Sequence, residues 1–118
     1  MCGIAGIISK ININQSNLIK LMAEDLAHRG PDGEGYESAI ISNGISKDKQ
    51  ISFAHKRLTI IDKSEMGRQP MMSSDGDVIL TYNGEIYNYI EIKNDLIKRG
   101  YNFKSKSDTE VLLNAYIE

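Results

Sequence analysis

Cys2 is the residue whose type and position carry the most chemical information in this sequence. Methionine aminopeptidase generally removes the initiator methionine before a residue as small as cysteine. The chain would then begin with a thiol and a free α-amine on one residue. The α-amine has a pKa of about 7.7–8.0, so part of it is an unprotonated base near neutral pH. Cys2 could therefore supply both a nucleophile and its base, although position alone favours a small buried apolar side chain.

Two histidines offer a different partner for this thiol. His28 or His55 could form a cysteine–histidine dyad with Cys2, but such partners are adjacent only in space, so their spacing identifies neither. His28 follows a predicted helix, where a histidine complements the helix dipole, and His55 lies in a strand-like segment typical of a core or rim residue. The single cysteine excludes an intrachain disulfide, and no local ligand spacing indicates a metal site.

The Asn83-Gly84 pair could supply hydrogen-bond donors to a reaction intermediate. The sequence predicts that a strand ends at this pair and that a helix begins immediately after it. A side-chain amide and a flexible backbone N–H would then lie together at one corner, and a tetrahedral oxyanion requires two such donors. An ordinary Asn-Gly turn is the simpler interpretation of this feature taken alone.

Three charged residues complete the set of candidates. The guanidinium of Arg57 suits bidentate binding of a carboxylate, although surface arginines are common. Glu85 and Asp108 lie in the first turns of predicted helices, where acids are also favoured by the helix dipole alone.

Apolar patterning predicts the strands that must position these residues. Short runs rich in β-branched residues predict strands over residues 2–8, 36–41, 51–60 and 78–82, with a polar loop over 42–50 and a turn at Asp75-Gly76. Because strands and helices do not alternate regularly, an α+β layered domain is favoured over a doubly wound parallel sheet.

Three helices are predicted from spacing and capping residues. The first carries Leu18, Met22 and Leu26 at helical spacing, joined by Ile19 and Ala23, with Ser16 as its cap and Gly30-Pro31 as its stop. The second spans residues 86–99, with Ile86, Ile90 and Ile97 on one side and Gly100 as its stop. The third begins at residues 107–110 with the spacing of a capping box.

Length and composition exclude several classes of protein. The chain has 118 residues, which is room for one domain. Its net charge of -2 does not suggest a nucleic-acid-binding surface. The longest apolar run falls short of the ~20 residues that span a bilayer, and the N-terminus lacks a signal-peptide pattern. We therefore expect no membrane or nucleic-acid partner and a cytoplasmic setting.

Six blocks of sequence follow one another along the chain: MCGIAGI at the start, HRGPDG at 28–33, FAHKRLTIID at 53–62, QPM at 69–71, YNGEIYNY at 82–89 and SDTEVLL at 107–113. Together they resemble the N-terminal glutaminase domain of glutamine-dependent asparagine synthetases, a class II glutamine amidotransferase of the N-terminal nucleophile hydrolases. They occur in the order of that family and cover the chain from Met1 to its last predicted helix. Any one block alone would be a weak signal.

The resemblance implies a role for each candidate residue. Cys2, freed of Met1, would attack the side-chain amide of glutamine, and the Asn83 side chain and Gly84 N–H would stabilise the oxyanion. Arg57 matches the residue that binds the α-carboxylate of glutamine. The residues whose backbone would line the same pocket are Leu58, Thr59, Ile60 and Ile61. Glu85 and Asp108 match acids that hold polar groups of the substrate, with Asp108 facing the α-ammonium group.

The resemblance also implies a larger protein. Its fold would be a layered αββα sandwich, of which we expect residues 1–118 to be a glutaminase domain truncated on its C-terminal side. We expect the synthetase domain to be absent from these residues; in the family it would use ATP and Mg²⁺ to activate aspartate. The glutaminase domain is expected to need no cofactor or metal. The expected partners are glutamine as substrate and the synthetase domain. A homo-oligomer is also possible on this resemblance.

Three alternatives to this hypothesis remain. The chain could be a non-catalytic fragment or binding module that keeps the fold, and an exposed apolar surface would favour that interpretation. It could also be a glutaminase that serves a sugar-carboxylate amidotransferase, or a cysteine peptidase of the same superfamily.

Overall fold

The computed structural model describes residues 1–11, 13–42, 44, 47–59, 62 and 64–118. Five strands and three α-helices lie in these ranges, joined in two places by short 3₁₀ turns at Ala27–Arg29 and Glu65–Gly67. The strands are β1 (Gly3–Lys10), β2 (Gly33–Ile41), β3 (Lys49–Arg57), β4 (Met71–Met72) and β5 (Ile79–Leu80), and the helices are α1 (Ser16–Asp25), α2 (Tyr89–Lys98) and α3 (Asp108–Ile117). The predicted α+β class is confirmed.

A three-stranded antiparallel sheet in the order β1-β3-β2 forms the larger layer. In its register Gly3 pairs with Lys56, and Gly33 pairs with Arg57. The start of β1 and the end of β3 therefore lie at the same end of the sheet. This pairing brings the N-terminus next to the segment that follows β3, although more than fifty residues separate them in sequence.

The α1 helix covers one face of this sheet. Its buried residues Ile19 and Ala23 form the core with Ala54 of β3. The predicted helix is confirmed, but two details of it are wrong. Leu18 is exposed, because Ile19 and Ala23 occupy the side of the helix that meets the sheet. The residue before the helix is Gln15 rather than Ser16, and its side chain does not cap the helix.

The opposite face of the sheet is apolar and partly open. Ile4 and Ile8 of β1 point to this face and are 44% and 59% exposed. Their partners across the register are His55 and Ile51, and His55 is buried at the end of the sheet where β3 finishes. One end of this face is therefore covered by other parts of the chain, whereas the other end is accessible.

Sheet pairing also moved the predicted strand boundaries. β3 begins at Lys49, inside the stretch predicted to be a loop, because Lys49 pairs with both Lys10 and Ile41. The strand predicted over residues 78–82 is reduced to the two residues of β5, which pair with β4 across a turn where Gly76 has φ +81°. Residues 81–88 form no helix or strand. Backbone groups of Tyr82 and Ile86 in this segment form hydrogen bonds with side chains instead.

The α2 and α3 helices pack against each other in a second layer. α2 begins at Tyr89, later than predicted, and it buries Leu96 while Ile90 and Ile97 are exposed, so the predicted apolar face is wrong. Its predicted stop is confirmed. Gly100 has φ +100°, and its N–H donates to the carbonyl of Ile97 at 3.0 Å.

The predicted cap of α3 is half confirmed. The Ser107 hydroxyl accepts a hydrogen bond from the N–H of Thr109 at 3.1 Å. The reciprocal bond of a capping box does not form, because the Glu110 carboxylate accepts from the N–H groups of Lys104 and Ser105 instead. Glu110 therefore ties the preceding loop to the helix.

Gly30 provides a test of this packing. A Cβ atom at Gly30 would lie 2.3 Å from the carbonyl carbon and oxygen of Lys56, and strand backbone cannot move aside easily. Gly30→Ala should therefore lower the free energy of unfolding by about 1–3 kcal/mol. Gly33→Ala is the matched control, since its Cβ would meet only the Arg57 Cβ at 3.9 Å. Equal urea midpoints for the two variants would contradict this account of Gly30.

Candidate active site

A cleft of about 300 Å³ lies at the end of the sheet where β1 starts and β3 finishes. The candidate residues that line it are Cys2, Arg57, Leu58, Thr59, Asn83, Gly84, Glu85 and Asp108. The structure thus brings together every predicted site residue that it describes. Ile60 and Ile61 lie outside the described residues.

The Cys2 thiol forms hydrogen bonds with the backbone that follows β3. The N–H of Leu58 donates to the Cys2 Sγ at 3.3 Å, and the carbonyl of Leu58 lies 3.6 Å from the same sulfur. The Cys2 carbonyl accepts a hydrogen bond from the Arg29 Nε at 3.1 Å. Cys2 is only half-buried and lines the cleft, so its setting is that of an accessible thiol rather than a core side chain. Met1, which precedes it, is exposed.

The histidines do not form the alternative dyad. His55 lines the cleft, but its ring Nε2 lies 3.3 Å from the carbonyl of Tyr82, and the hydrogen bonds described for the Cys2 sulfur go to Leu58. His28 is exposed on the 3₁₀ turn. A cysteine–histidine hydrolase is therefore not what this geometry favours.

The Arg57 guanidinium is fixed by backbone carbonyls. Its Nη1 donates to the carbonyl of Ser64 at 3.0 Å, and its Nη2 donates to the carbonyl of Asp62. Because a guanidinium has five N–H donors, these two bonds leave others for a ligand. Gly67 lies against the same group, where a Cβ would come within 2.8 Å of Nη2. The arginine is thus held in a defined orientation at the wall of the cleft.

Asp62 is a cleft residue to which the sequence analysis gave no role. Its carboxylate accepts from the N–H of Ser64 and from the N–H of Lys106, each at 2.8 Å. Hydrogen bonding to Ser64, then to Lys106, together with the charge of Arg57, lowers the pKa of Asp62 below its ordinary value. The Asp62 carboxylate therefore connects the segment that holds Arg57 with the loop before α3. The only signal in the sequence was its place at the end of the FAHKRLTIID block.

The Asn83-Gly84 pair lies in the irregular segment 81–88, not at a strand-to-helix corner. That prediction was wrong because β5 ends at Leu80 and α2 begins only at Tyr89. Gly84 packs closely on the preceding tyrosine, since a Cβ there would lie 2.4 Å from the Tyr82 hydroxyl. Burial, followed by the charges of Asp108 and Glu85, raises the pKa of Tyr82, so this phenol stays protonated at neutral pH.

Asp108 fixes the far end of the same segment. Its carboxylate is buried, and Oδ2 accepts a hydrogen bond from the N–H of Ile86 at 3.0 Å. Asp108 therefore positions the chain directly after Glu85 as well as lining the cleft. Thr59, on the other wall, is held by its N–H, which donates to the Asp32 carboxylate at 2.7 Å.

The described part of the chain holds no group of three histidine, cysteine, aspartate or glutamate residues arranged to bind a metal ion. None of the helices in these ranges is long and apolar enough to cross a membrane. The chemical groups that the cleft offers are therefore a thiol, amide and backbone donors, a cation and carboxylates.

Comparison with known proteins identifies relatives along the whole chain. A family model described as a glutamine amidotransferase domain matches residues 1–118. Glutamine-hydrolysing asparagine synthetase 1 of Bacillus subtilis (strain 168) is 42% identical over 98% of this chain, and asparagine synthetase 2 of the same organism is 38% identical over 100%. The enzyme of that name from Brassica oleracea is 34% identical over 100%. The chain spans only 17%, 15% and 18% of these relatives, respectively.

The pH dependence of stability tests the burial of His55. Burial, together with the charge of Arg57, lowers the pKa of His55 below its ordinary value of 6.5. The unfolded chain therefore binds this proton at a higher pH than the folded chain, and stability should fall as the pH drops below 6.5. The slope contributed by one such group is at most about 1.4 kcal/mol per pH unit.

His55→Gln should remove this loss of stability as the pH falls below 6.5, measured by urea unfolding. His28→Gln is the matched control, because that side chain is exposed. An unchanged pH dependence in His55→Gln would show that His55 is not the group responsible.

Proposed function

Because the chain belongs to the glutamine amidotransferase domain family, we propose that it hydrolyses the side-chain amide of glutamine in this cleft, with Cys2 as the nucleophile. The observation that carries the proposal is the convergence of the Cys2 thiol, the Asn83-Gly84 donors and the Arg57 guanidinium on one cavity of about 300 Å³. These groups come from segments that are far apart in sequence. Acyl transfer uses a nucleophile and oxyanion donors, and a guanidinium suits the carboxylate of an amino-acid substrate.

In the proposed reaction, removal of Met1 frees the Cys2 α-amine, which accepts the thiol proton as the sulfur attacks the amide carbon. The amide oxygen becomes an oxyanion, which the Asn83 side chain and the Gly84 N–H stabilise. The C–N bond then breaks, the α-ammonium group returns its proton to the leaving nitrogen, and ammonia departs. Water attacks the γ-glutamyl thioester, which releases glutamate and restores the thiol.

The charged walls would orient the substrate before this chemistry. Arg57 suits the α-carboxylate of glutamine, and Asp108 suits its α-ammonium group, with Glu85 holding a further polar group. The backbone of Leu58 and Thr59 would line the same pocket. Binding the zwitterionic end at fixed charges leaves the amide end near the thiol, and such orientation lowers the entropic part of the barrier.

The proposal extends to the whole protein. The chain spans 15% to 24% of the length of the relatives that it matches, and their names describe glutamine-hydrolysing asparagine synthetases. We propose that the ammonia serves an ATP- and Mg²⁺-dependent synthetase domain, which amidates aspartate. The glutaminase step itself needs no metal in this mechanism.

Exposed apolar side chains on the face of the sheet opposite α1 favour a second candidate function. Ile4 and Ile8 present apolar surface that a further segment of protein could cover. A chain that needs such a segment to complete its fold would be a binding module without activity of its own.

Covalent labelling distinguishes the two candidates. Treatment with a diazo-ketone analogue of glutamine should add one label to the chain that lacks Met1, and excess glutamine should prevent it. Cys2→Ala should fold normally and take up no label. Intact mass before and after treatment measures both the loss of Met1 and the adduct. A folded, Met1-free chain that is not labelled would favour the binding module.

Two substitutions should separate catalysis from binding. Asn83→Ala removes an oxyanion donor, so it should lower kcat for glutamine hydrolysis by about 10²–10³-fold. Arg57→Ala removes a group that binds the ground state as well as the transition state, so it should mainly raise KM. A release assay for ammonia measures both. An Asn83→Ala variant with altered KM alone would contradict the oxyanion assignment.

A further inference from the structure

The backbone N–H and the carbonyl of Tyr82 both form hydrogen bonds with buried side chains. The N–H of Tyr82 donates to the Gln69 Oε1 at 2.6 Å, and its carbonyl oxygen lies 3.3 Å from the His55 Nε2. Tyr82 immediately precedes the Asn83-Gly84 pair, in a segment that has no helix or strand of its own. Two side chains therefore hold backbone groups that a neighbouring strand would otherwise hold.

The His55 contact defines the protonation of its ring. A carbonyl oxygen can only accept, so Nε2 carries the hydrogen and donates it to Tyr82. His55 is 1% exposed, and this burial lowers its pKa, which keeps the ring neutral and leaves Nδ1 without a hydrogen. Nδ1 is buried and has no hydrogen-bond partner among the described residues, which agrees with a ring nitrogen that carries no hydrogen.

The orientation of the Gln69 side-chain amide is also fixed by its hydrogen bonds. Gln69 is 8% exposed, and its Nε2 donates to the Thr109 hydroxyl oxygen at 3.0 Å, which leaves Oε1 as the acceptor for Tyr82. Strand β2 packs on the backbone of Gln69, since a Cβ at Gly35 would lie 2.0 Å from the Gln69 carbonyl oxygen. The glutamine is thus fixed between β2 and α3.

We propose that His55 and Gln69 are positioning residues that place the Asn83 and Gly84 donors relative to the Cys2 thiol. The inference rests on the proposed glutaminase function. With Tyr82 held at both peptide groups and Ile86 held by Asp108, the three residues between them have anchored ends. Oxyanion donors act at 2.7–3.1 Å, so a small displacement of this segment would weaken them without removing either donor.

Paired substitutions at His55 test this role. His55→Gln keeps an N–H donor near the position of Nε2, whereas the shorter amide of His55→Asn cannot reach the Tyr82 carbonyl. His55→Asn and Gln69→Leu should each lower kcat for glutamine hydrolysis about 10- to 100-fold, since misplacing a reacting group costs up to about 10²-fold. KM should change by less, and His55→Gln should recover most of the lost kcat.

A proportional rise in KM, or equal losses of kcat in His55→Asn and His55→Gln, would overturn the proposal. The amount of folded protein in each variant, measured by circular dichroism, corrects the rates for loss of structure.

Nitrogen NMR of the resting protein provides a test that does not need activity. The wild-type spectrum should show His55 with hydrogen on Nε2 and a bare Nδ1 at neutral pH. The backbone amide signals of Asn83 and Gly84 should move in Gln69→Leu and His55→Asn and stay near their wild-type positions in His55→Gln. Hydrogen on Nδ1, or unmoved Asn83 and Gly84 signals in the two disruptive variants, would overturn the proposal.

The two experiments separate failure of this inference from failure of the proposed function. A wild-type protein that releases no ammonia but shows the expected His55 tautomer and amide shifts contradicts the glutaminase function alone. A wild-type protein that hydrolyses glutamine, with normal rates in His55→Asn and Gln69→Leu, contradicts the positioning role alone.

Discussion

The antiparallel pairing of β1 with β3 is the constraint on which the site depends. It sets the first residues of the chain beside the segment that leaves β3, and the Cys2 thiol there is bonded to the backbone of Leu58. A shift of this register by one residue would turn every side chain of β1 to the other face. Ile4 would then exchange places with Ala5, which is partly buried against the core, so packing against α1 selects the register that also places the thiol.

The wall of the cleft opposite Cys2 is held by side chains rather than by strand pairing. Residues 81–88 have no regular secondary structure, and their backbone is held by the side chains of His55, Gln69 and Asp108. These hydrogen bonds form in a buried setting, where a backbone N–H or carbonyl without a hydrogen-bond partner costs free energy. Irregular backbone can therefore be as well defined as a strand, while leaving the N–H of Gly84 clear of any ladder.

The sequence predicted the elements better than their faces and ends. Strand patterns located β1, β2 and β3, because apolar β-branched runs depend on local composition. The buried side of α2 was wrong, since Leu96 is buried while Ile90 and Ile97 are exposed, and the side of a helix that is buried depends on what packs against it. The lengths of β3 and β5 depended on pairing across the sheet.

The site residues were identified by family resemblance rather than by spacing, since they converge only in three dimensions. Asp62 and Gln69 received no role, and His55 was considered only as a dyad partner of Cys2 or a core residue. The contacts of these three side chains with distant backbone exist only in the folded chain. A glutamine before a proline or a histidine within a strand has many ordinary explanations. Only the hydrogen bonds from these side chains to distant backbone distinguish them from residues that fill the core.

The order in which the two layers become available during synthesis follows from this arrangement. The three-stranded sheet and α1 are complete by Arg57, whereas the cleft also requires residues as late as Asp108. At 5–20 residues per second, about 3–10 s of translation separate these two points. A sheet that formed in that interval would hold the peptide bond between Met1 and Cys2 at its edge before the facing wall had been synthesised, within reach of a processing enzyme.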